Sequence, residues 1–433
     1  MSTESIHEYI RAGVRAHLVG IGGVSMAPLG EVLHGMGMRI TGSDSRESET
    51  VEHLRSIGIP VTIGHLPESV EGAQLVIRTA AVHDSNPEIA AARAAGIPVF
   101  ERAQAWGSIM RSYRNALCIS GTHGKTTTTS MCTHIAMAAE ADPTVMIGGT
   151  LPLLGSAAMA VILDIEADHL DFFKDLEEIK TSFRTFADRV PEDGTIIANR
   201  DDANTMAALA GEERRVLTYG LEEGDVHAAN LTWEHGLPRF DVIWQGSTFA
   251  RVKLNVPGVH NVRNALAAAA SAIVLGMPGR AVEEGLTAFR GADRRFEHKG
   301  SCSGAQVYDD YAHHPGELAA LLDAVGAMGY ERIICAFQPH TYSRTKALFD
   351  DFVSVLRRPD VTVLTEIYAA REINEIGISS ADLAAEIPGA VFCPTLEETE
   401  QYLRKIARPG DVILTVGAGD IYTVGGKLTG QQA

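Results

Sequence analysis

The chain reads as an α/β protein of three domains built on doubly wound parallel sheets, and three observations carry that prediction. Short apolar runs alternate with helix-length amphipathic stretches from residue 16 to the C-terminus, the pattern of strands crossed over by helices. A glycine-rich turn, S-G-T-H-G-K-T-T-T-T at 120–129, stands between one such strand and one such helix. Four polar or glycine clusters stand at four strand ends in the last third of the chain. With 433 residues the chain has room for several cores, roughly two to four, and the expected division is 1–113, 114–298 and 299–433.

The formal net charge is −18 with no lysine or arginine run, which argues against a nucleic-acid or anionic-membrane binder. Five cysteines are scattered, with no C-x-x-C pair, so neither a disulfide framework nor a structural zinc site is expected. No stretch approaches the ~18 apolar residues of a membrane span, and residues 1–14 lack an apolar leader core. A soluble cytoplasmic protein is expected.

The first strand, Ala16 to Val19, runs into Gly20, Gly22 and Gly23, and a helix follows to about Gly37. A second strand ends at Thr41, Gly42, Ser43 and Asp44. Such glycines bring backbone close to a diphosphate, and an acid about 20 residues on reaches a ribose hydroxyl or caps the loop. Ser25 stands where a dinucleotide fingerprint has its third glycine, so a nucleotide diphosphate fits better than a dinucleotide. Strands at Pro60 to Ile63, Leu75 to Thr79 and Pro98 to Phe100 complete the sheet, and Thr79, Ala80 and Val82 follow a strand's C-terminal end, where open sheets bind ligands.

The turn at 120–129 departs from G-x-x-x-x-G-K-[ST]. Ile119 occupies the first glycine position, leaving a shorter G-x-x-G-K-T with His123 inside. Gly121, Thr122, His123 and Gly124 can turn N–H groups inward, Lys125 supplies a charge for outer phosphates, and Thr126 or Thr127 can ligate Mg²⁺. ATP with Mg²⁺ is the expected ligand. A strand is expected at Val145 to Ile147, and another, Ala160 to Ile165, delivers Asp164, Glu166, Asp168 and His169 to a loop. Asp168 and His169 are either metal ligands, directly or through water, or a capping acid and a packed histidine. Leu217 to Val256 reads as a β-rich insertion. Asn261 and Asn264 precede an alanine-rich helix, so that one is an N-cap or the amides read an adenine edge.

In the last third, one strand ends in Asp309, Asp310, Tyr311, Ala312, His313, His314 and Pro315, and the next in Gln338 to Thr345, including His340 and Arg344. A third leads to Glu366, Tyr368, Arg371 and Glu372, and a fourth to Gly417, Ala418, Gly419 and Asp420. Clusters repeated at strand ends are expected to line one cleft.

Taken together, H-L-V-G-I-G-G-V-S-M-A-P-L (17–29), G-T-H-G-K-T-T-T (121–128), E-A-D-H-L-D (166–171), H-N-V-R-N-A (260–265), D-D-Y-A-H-H-P (309–315), F-Q-P-H-T-Y-S-R-T (337–345) and G-A-G-D-I (417–421) resemble the Mur ligase family over nearly the whole chain. The Q-P-H-x-Y-S-R-T form resembles its alanine-adding branch more than the branch that recycles whole peptides. The resemblance implies a Rossmann-like domain for a UDP-sugar, a P-loop ATPase domain, and a Rossmann-like C-terminal domain that closes over ATP and amino acid. It implies ATP-dependent attachment of L-alanine to the lactyl carboxylate of UDP-N-acetylmuramate through an acyl phosphate, in peptidoglycan precursor synthesis, by a monomer or homodimer. Gly20, Gly22, Gly23, Ser43, Asp44, Thr79 and Ala80 would hold the UDP-sugar. Asn261 and Asn264 would read adenine, Asp309 would contact the nucleotide, His169 would associate with the metal, and Arg344 would bind a carboxylate or phosphate. His313 or His340 would orient or deprotonate the amine.

The pattern breaks at 150–163. There the family carries a further strand and a glutamate that helps hold Mg²⁺, whereas this segment has no acid. A segment lost from the sequence, a substitute ligand at Asp164 or Glu166, and a homologue that binds without turning over are the three explanations.

Overall fold

The computed structural model describes residues 5–79, 81–145, 159–167, 172–234, 236–291, 294–370 and 372–430. Its contacts divide the chain into two compact units, Met1–Thr126 with Pro143–Thr218, and Thr127–Asp142 with Tyr219–Ala433.

In the first unit, β1 (Arg15–Val19), β2 (Arg39–Asp44), β3 (Val61–Ile63), β4 (Leu75–Arg78) and β5 (Val99–Glu101) form a sheet ordered β3-β2-β1-β4-β5, parallel throughout. β1 lies between β2 and β4, so the winding reverses at its C-terminal end, where the Gly20 loop begins. Leu18, Leu29, Leu33 and Leu54 are buried on one face and Val19, Val76, Ile89 and Ala92 on the other. Both faces are covered, which is why these strands are apolar without alternation. The same unit holds β6 (Leu117–Ser120), β7 (Met159–Ile162) and β8 (Thr195–Asn199), paired in parallel. The expected strand at 145–147 falls largely outside the described residues, and Val145 is irregular.

In the second unit, β9 (Arg215–Gly220) contributes Tyr219 and Gly220 to a parallel pairing with β10 (Val226–Glu234). β11 (Leu237–Trp244) and β12 (Ser247–Lys253) follow antiparallel, forming the expected β-rich insertion. β13 (Glu297–Cys302), β14 (Ala305–Asp310), β15 (Arg332–Phe337), β16 (Val361–Leu364), β17 (Val391–Phe392) and β18 (Asp411–Val416) make a sheet ordered β13-β14-β18-β15-β16-β17. Only β13 is antiparallel to its neighbour. The four strands that end in polar or glycine clusters, β14, β18, β15 and β16, are adjacent, so parallel pairing gathers the clusters on one edge. The two sheet edges, β13 and the two-residue β17, escaped sequence reading because neither has enough apolar length to stand out.

Candidate active site

The nucleotide-type loop leaves β6 at Ser120 and enters the helix Lys125–Ala138. Gly124 has φ +78°, a conformation that favours glycine. At Gly121 a Cβ would lie 2.8 Å from Leu163 Cβ and 3.0 Å from Asp164 Oδ1, so β7's continuation passes too close for any side chain. That continuation clamps the loop. Thr122 N–H donates to the Asp164 carbonyl at 3.0 Å, His123 N–H donates to Asp164 Oδ1 at 2.8 Å, and Glu166 N–H donates to Thr122 Oγ1 at 2.8 Å. Lys125 Nζ donates to the carbonyls of Gly121 (2.6 Å) and Thr122 (2.9 Å), which holds its ammonium over the turn. Burial pushes the Asp164 carboxyl up, partly opposed by the His123 amide. Asn199 Nδ2–H donates to Leu163 O at 2.7 Å and Asn204 Nδ2–H to Ile165 O at 2.8 Å, fixing the backbone on either side of Asp164.

Asn261 and Asn264 lie inside the helix Val259–Val274, whose N-cap is Gly258. Neither is the N-cap that a later helix start would require. Both are buried and link to the loop's own helix. Thr128 Oγ1–H donates to Asn264 Oδ1 at 3.3 Å, Asn264 Nδ2–H to Asn261 Oδ1 at 3.2 Å, and Asn261 Nδ2–H to Pro257 O at 2.7 Å. Gly285 approaches the same helix so closely that a Cβ would lie 2.6 Å from Ile135 Cα.

At the C-terminal sheet edge, His313, His340, Arg344 and Tyr368 stand together. The His340 ring stacks on Tyr368 with centroids 5.7 Å apart and meets His313 edge-on at 5.9 Å. Thr341 beside it has φ +67°, a strained conformation for a β-branched residue. His313 Nδ1 lies 3.0 Å from Tyr311 O. A carbonyl only accepts, so Nδ1 carries the proton and the neutral ring keeps its lone pair on Nε2. Burial lowers the His313 pKa, with Glu317 opposing, which keeps that lone pair available. His314 instead caps the helix Pro315–Gly326, accepting from Gly316 N–H at 3.3 Å.

The loops behind this edge interlock. Gln338 Nε2–H donates to Asp420 Oδ1 at 2.8 Å, and Ile421 N–H donates to Gln338 Oε1 at 3.1 Å. A Cβ on Gly419 would collide with Gln338 and Tyr368. Asp309 is fully buried; Thr415 Oγ1–H donates to it at 2.8 Å and Arg294 Nε–H lies 3.4 Å away. Burial pushes its carboxyl up to about 6, against those two partners. Arg294 stacks between Tyr311 and Tyr422 and donates to Gly417 O (2.6 Å) and Gly419 O (2.9 Å).

In the N-terminal sheet, Gly20 and Ile21 N–H donate to Ser43 O at 2.8 and 2.9 Å, and Gly22 N–H donates to Asp44 Oδ2 at 2.9 Å. Asp44 therefore caps the loop. A Cβ on Gly20 would meet Thr79 Cγ2 at 3.2 Å, which puts Thr79 against the same turn. Beneath it, the fully buried Glu88 accepts from Ser43 Oγ–H (2.7 Å) and pairs with His65 Nδ1 (2.8 Å) and His17 Nε2 (3.3 Å).

Ala80, Asp168, His169 and Arg371 lie outside the described residues. Arg294, Glu317 and Glu88 were missed in sequence reading. Each is an ordinary charged residue on no motif of its own, and only the fold brings it against a loop that has one.

Three family models match: the Mur ligase family catalytic domain at 15–114, the Mur ligase middle domain at 150–272 and the Mur ligase glutamate ligase domain at 294–419. The chain belongs to the Mur ligase family, with its three-domain α/β architecture. It is 41% identical to a UDP-N-acetylmuramate–L-alanine ligase of Clostridium novyi, covering 95% of this chain and 96% of that one. It is 42% identical to that of Caldanaerobacter subterraneus over 96% and 97%. In both cases the aligned stretch, 440 and 445 residues, exceeds the part of this chain that it uses, so these relatives have residues with no counterpart here. The crystal structure of UDP-N-acetylmuramate-alanine ligase MurC from Thermotoga maritima superposes with a TM-score of 0.78 at 28% identity, covering 96% of this chain and 98% of that one.

Proposed function

We propose that this chain is an ATP-dependent ligase that joins L-alanine to the lactyl carboxylate of UDP-N-acetylmuramate, in peptidoglycan precursor synthesis. The observation that carries the reading is the intact G-x-x-G-K-T loop clamped at the end of β7 in a chain with full-length relatives of that name at 41% identity. The domains divide near residues 113 and 298, and the protein works in the cytoplasm as a monomer or homodimer. Among the described residues, no helix is long and apolar enough to cross a membrane.

The Gly20 loop, with Gly22, Gly23, Ser43, Asp44, Thr79 and Ala80, takes the diphosphate and sugar. Gly121 to Thr127 cradle the ATP phosphates, and Lys125 neutralises charge that develops as the lactyl oxygen attacks the γ-phosphoryl group. Thr126 would hold Mg²⁺ together with His169, and the ion would supply charge neutralisation at the outer phosphates. Asn261 and Asn264 hold the loop's helix and face adenine, and Asp309 supports the nucleotide from the C-terminal sheet. Arg344 pairs with carboxylate or phosphate oxygens as a planar fork. His313, with its lone pair on Nε2, takes the proton from the alanine amine. His340, with Nδ1 accepting from Arg344, keeps its other nitrogen as a donor, which orients alanine by an oxygen of its carboxylate and leaves the amine lone pair free to attack. Displacement of phosphate from the acyl phosphate then forms the amide.

Phosphate release from ATP tests this directly, measured with UDP-N-acetylmuramate in the presence and absence of L-alanine, with Lys125→Ala as the blank. Release that needs both substrates and vanishes in the variant is the expected result. Binding of both substrates with no release would instead make the chain a non-catalytic homologue.

A further inference from the structure

We infer that Arg102 supplies the positive charge that meets the diphosphate at the Gly20 loop. β5 ends at Glu101, and Arg102 opens the helix Arg102–Met110. In the order β3-β2-β1-β4-β5 that strand end lies beyond β4 from the Gly20 loop, yet Arg102 Nη1–H donates to Ser25 Oγ, 77 positions back in the chain. The guanidinium therefore reaches past the end of β4 to the loop that leaves β1, where the winding reverses and open sheets take their ligands. Thr79, at the end of β4, stands against the same loop at Gly20. Ser25 replaces the third glycine of a dinucleotide fingerprint, and this contact gives the replacement a purpose: its buried hydroxyl tethers a cation that glycine could not hold.

The charges around the loop point the same way. The chain carries 55 acidic against 37 basic side chains, and Arg78, Arg214 and Arg332, partly buried like Arg102, each pair with a carboxylate. Arg102 has no ion pair among the described residues, and the bond to Ser25 leaves its planar fork free for phosphate oxygens. Arg78, the cation at the end of β4, is taken up by Glu101 at 2.7 Å and Asp84 at 2.5 Å. Arg46, past the end of β2, is exposed and makes no hydrogen bond or ion pair among the described residues, so no contact fixes its charge at the loop. Asp44 caps the loop through Gly22 N–H from the β2 side. Its negative charge repels a diphosphate, and a guanidinium on the β4 side offsets that repulsion.

The alternative is that Arg102 is a strut that ties its helix to the loop and never meets the ligand. The inference rests on the UDP-sugar reading above, so the test uses UDP with the full chain, its affinity measured by isothermal titration calorimetry from low to high salt. Arg102→Gln is expected to weaken UDP about tenfold or more, the loss that follows removal of a charged hydrogen bond, and to flatten the fall of affinity with salt. Arg102→Lys keeps the charge without the fork, so it is expected to keep the wild-type salt dependence at an intermediate affinity. Ser25→Ala leaves the charge but unties it, and is expected to lose part of the affinity. ADP affinity, which reports the Gly121 to Thr127 loop, is expected to be unchanged in all three. Wild-type UDP affinity in Arg102→Gln would overturn the inference and leave the ligase reading intact. So would a weakened affinity with the wild-type salt dependence, the mark of a strut. Failure of the wild-type chain to bind UDP at all would overturn the inference and the UDP-sugar reading together.

Discussion

Arg344 Nη1 lies 3.3 Å from His340 Nδ1. Guanidinium only donates, so the imidazole accepts there and stays neutral. Burial first, then His313 and Arg344, push its pKa down to about 4. The folded state thus binds fewer protons than the unfolded chain as pH falls from about 6.5 towards that value, and stability rises with pH across the same window. Melting temperatures between pH 4 and 7 are expected to climb less steeply in His340→Gln than in the wild type.

Glu88 anchors the floor of the Gly20 loop. Burial raises its pKa, but hydrogen bonds from His17, Ser43 and His65 outweigh it and leave the carboxyl below its usual range. Its contribution is present above the ordinary carboxylate pKa and is lost as pH falls through the lowered folded value. Glu88→Ala is expected to cost about 3–5 kcal/mol, because it strands buried partners without their acceptor. Chemical denaturation of the N-terminal unfolding transition measures it.

The chain Thr128–Asn264–Asn261–Pro257 joins two helices through buried polar atoms. Asn264→Ala leaves the Thr128 hydroxyl and the Asn261 carbonyl oxygen without these partners and should destabilise by about 1–3 kcal/mol. A weaker apparent affinity for ATP, read by titration, is expected to accompany it, since Thr128 belongs to the loop's helix.

Gly285→Ala pushes a methyl group into the backbone of the same helix at Ile135, where nothing flexible can yield. Overpacking of this kind costs about 1–3 kcal/mol. Thermal unfolding checks the cost, and the expected companion is a loss of nucleotide binding without any change at the Gly20 loop. Wild-type stability would show that the two helices separate freely.

Much of the fold was legible because its signals are local. Each parallel strand is an apolar run ended by turn residues, so β1 to β5 and β14, β15, β16 and β18 could be placed to within a few residues. The glycine turns at Gly20 and Gly124 were legible for the same reason, as backbone geometry there excludes most other residues. The reading of Asn261 or Asn264 as a cap failed because the helix begins earlier, at Val259 behind Gly258, and a helix start is only weakly written when its first turn holds no capping side chain.

By itself the sequence determined the strand–helix alternation, the loops that phosphates require, and the family, since these depend on residue types at short spacings. Tertiary structure alone decided which charges face those loops. Arg294 came to the Gly417 and Gly419 carbonyls, Glu88 came under Ser43, and Asp164 took the His123 amide. The tautomers of His313 and His340 were settled by near neighbours instead, the Tyr311 carbonyl two residues before one ring and the Arg344 guanidinium four residues after the other. The Arg294, Glu88 and Asp164 pairings join residues from about 40 to more than 120 positions apart, and a separation of that kind is bridged by sheet order and strand register, which no local pattern encodes.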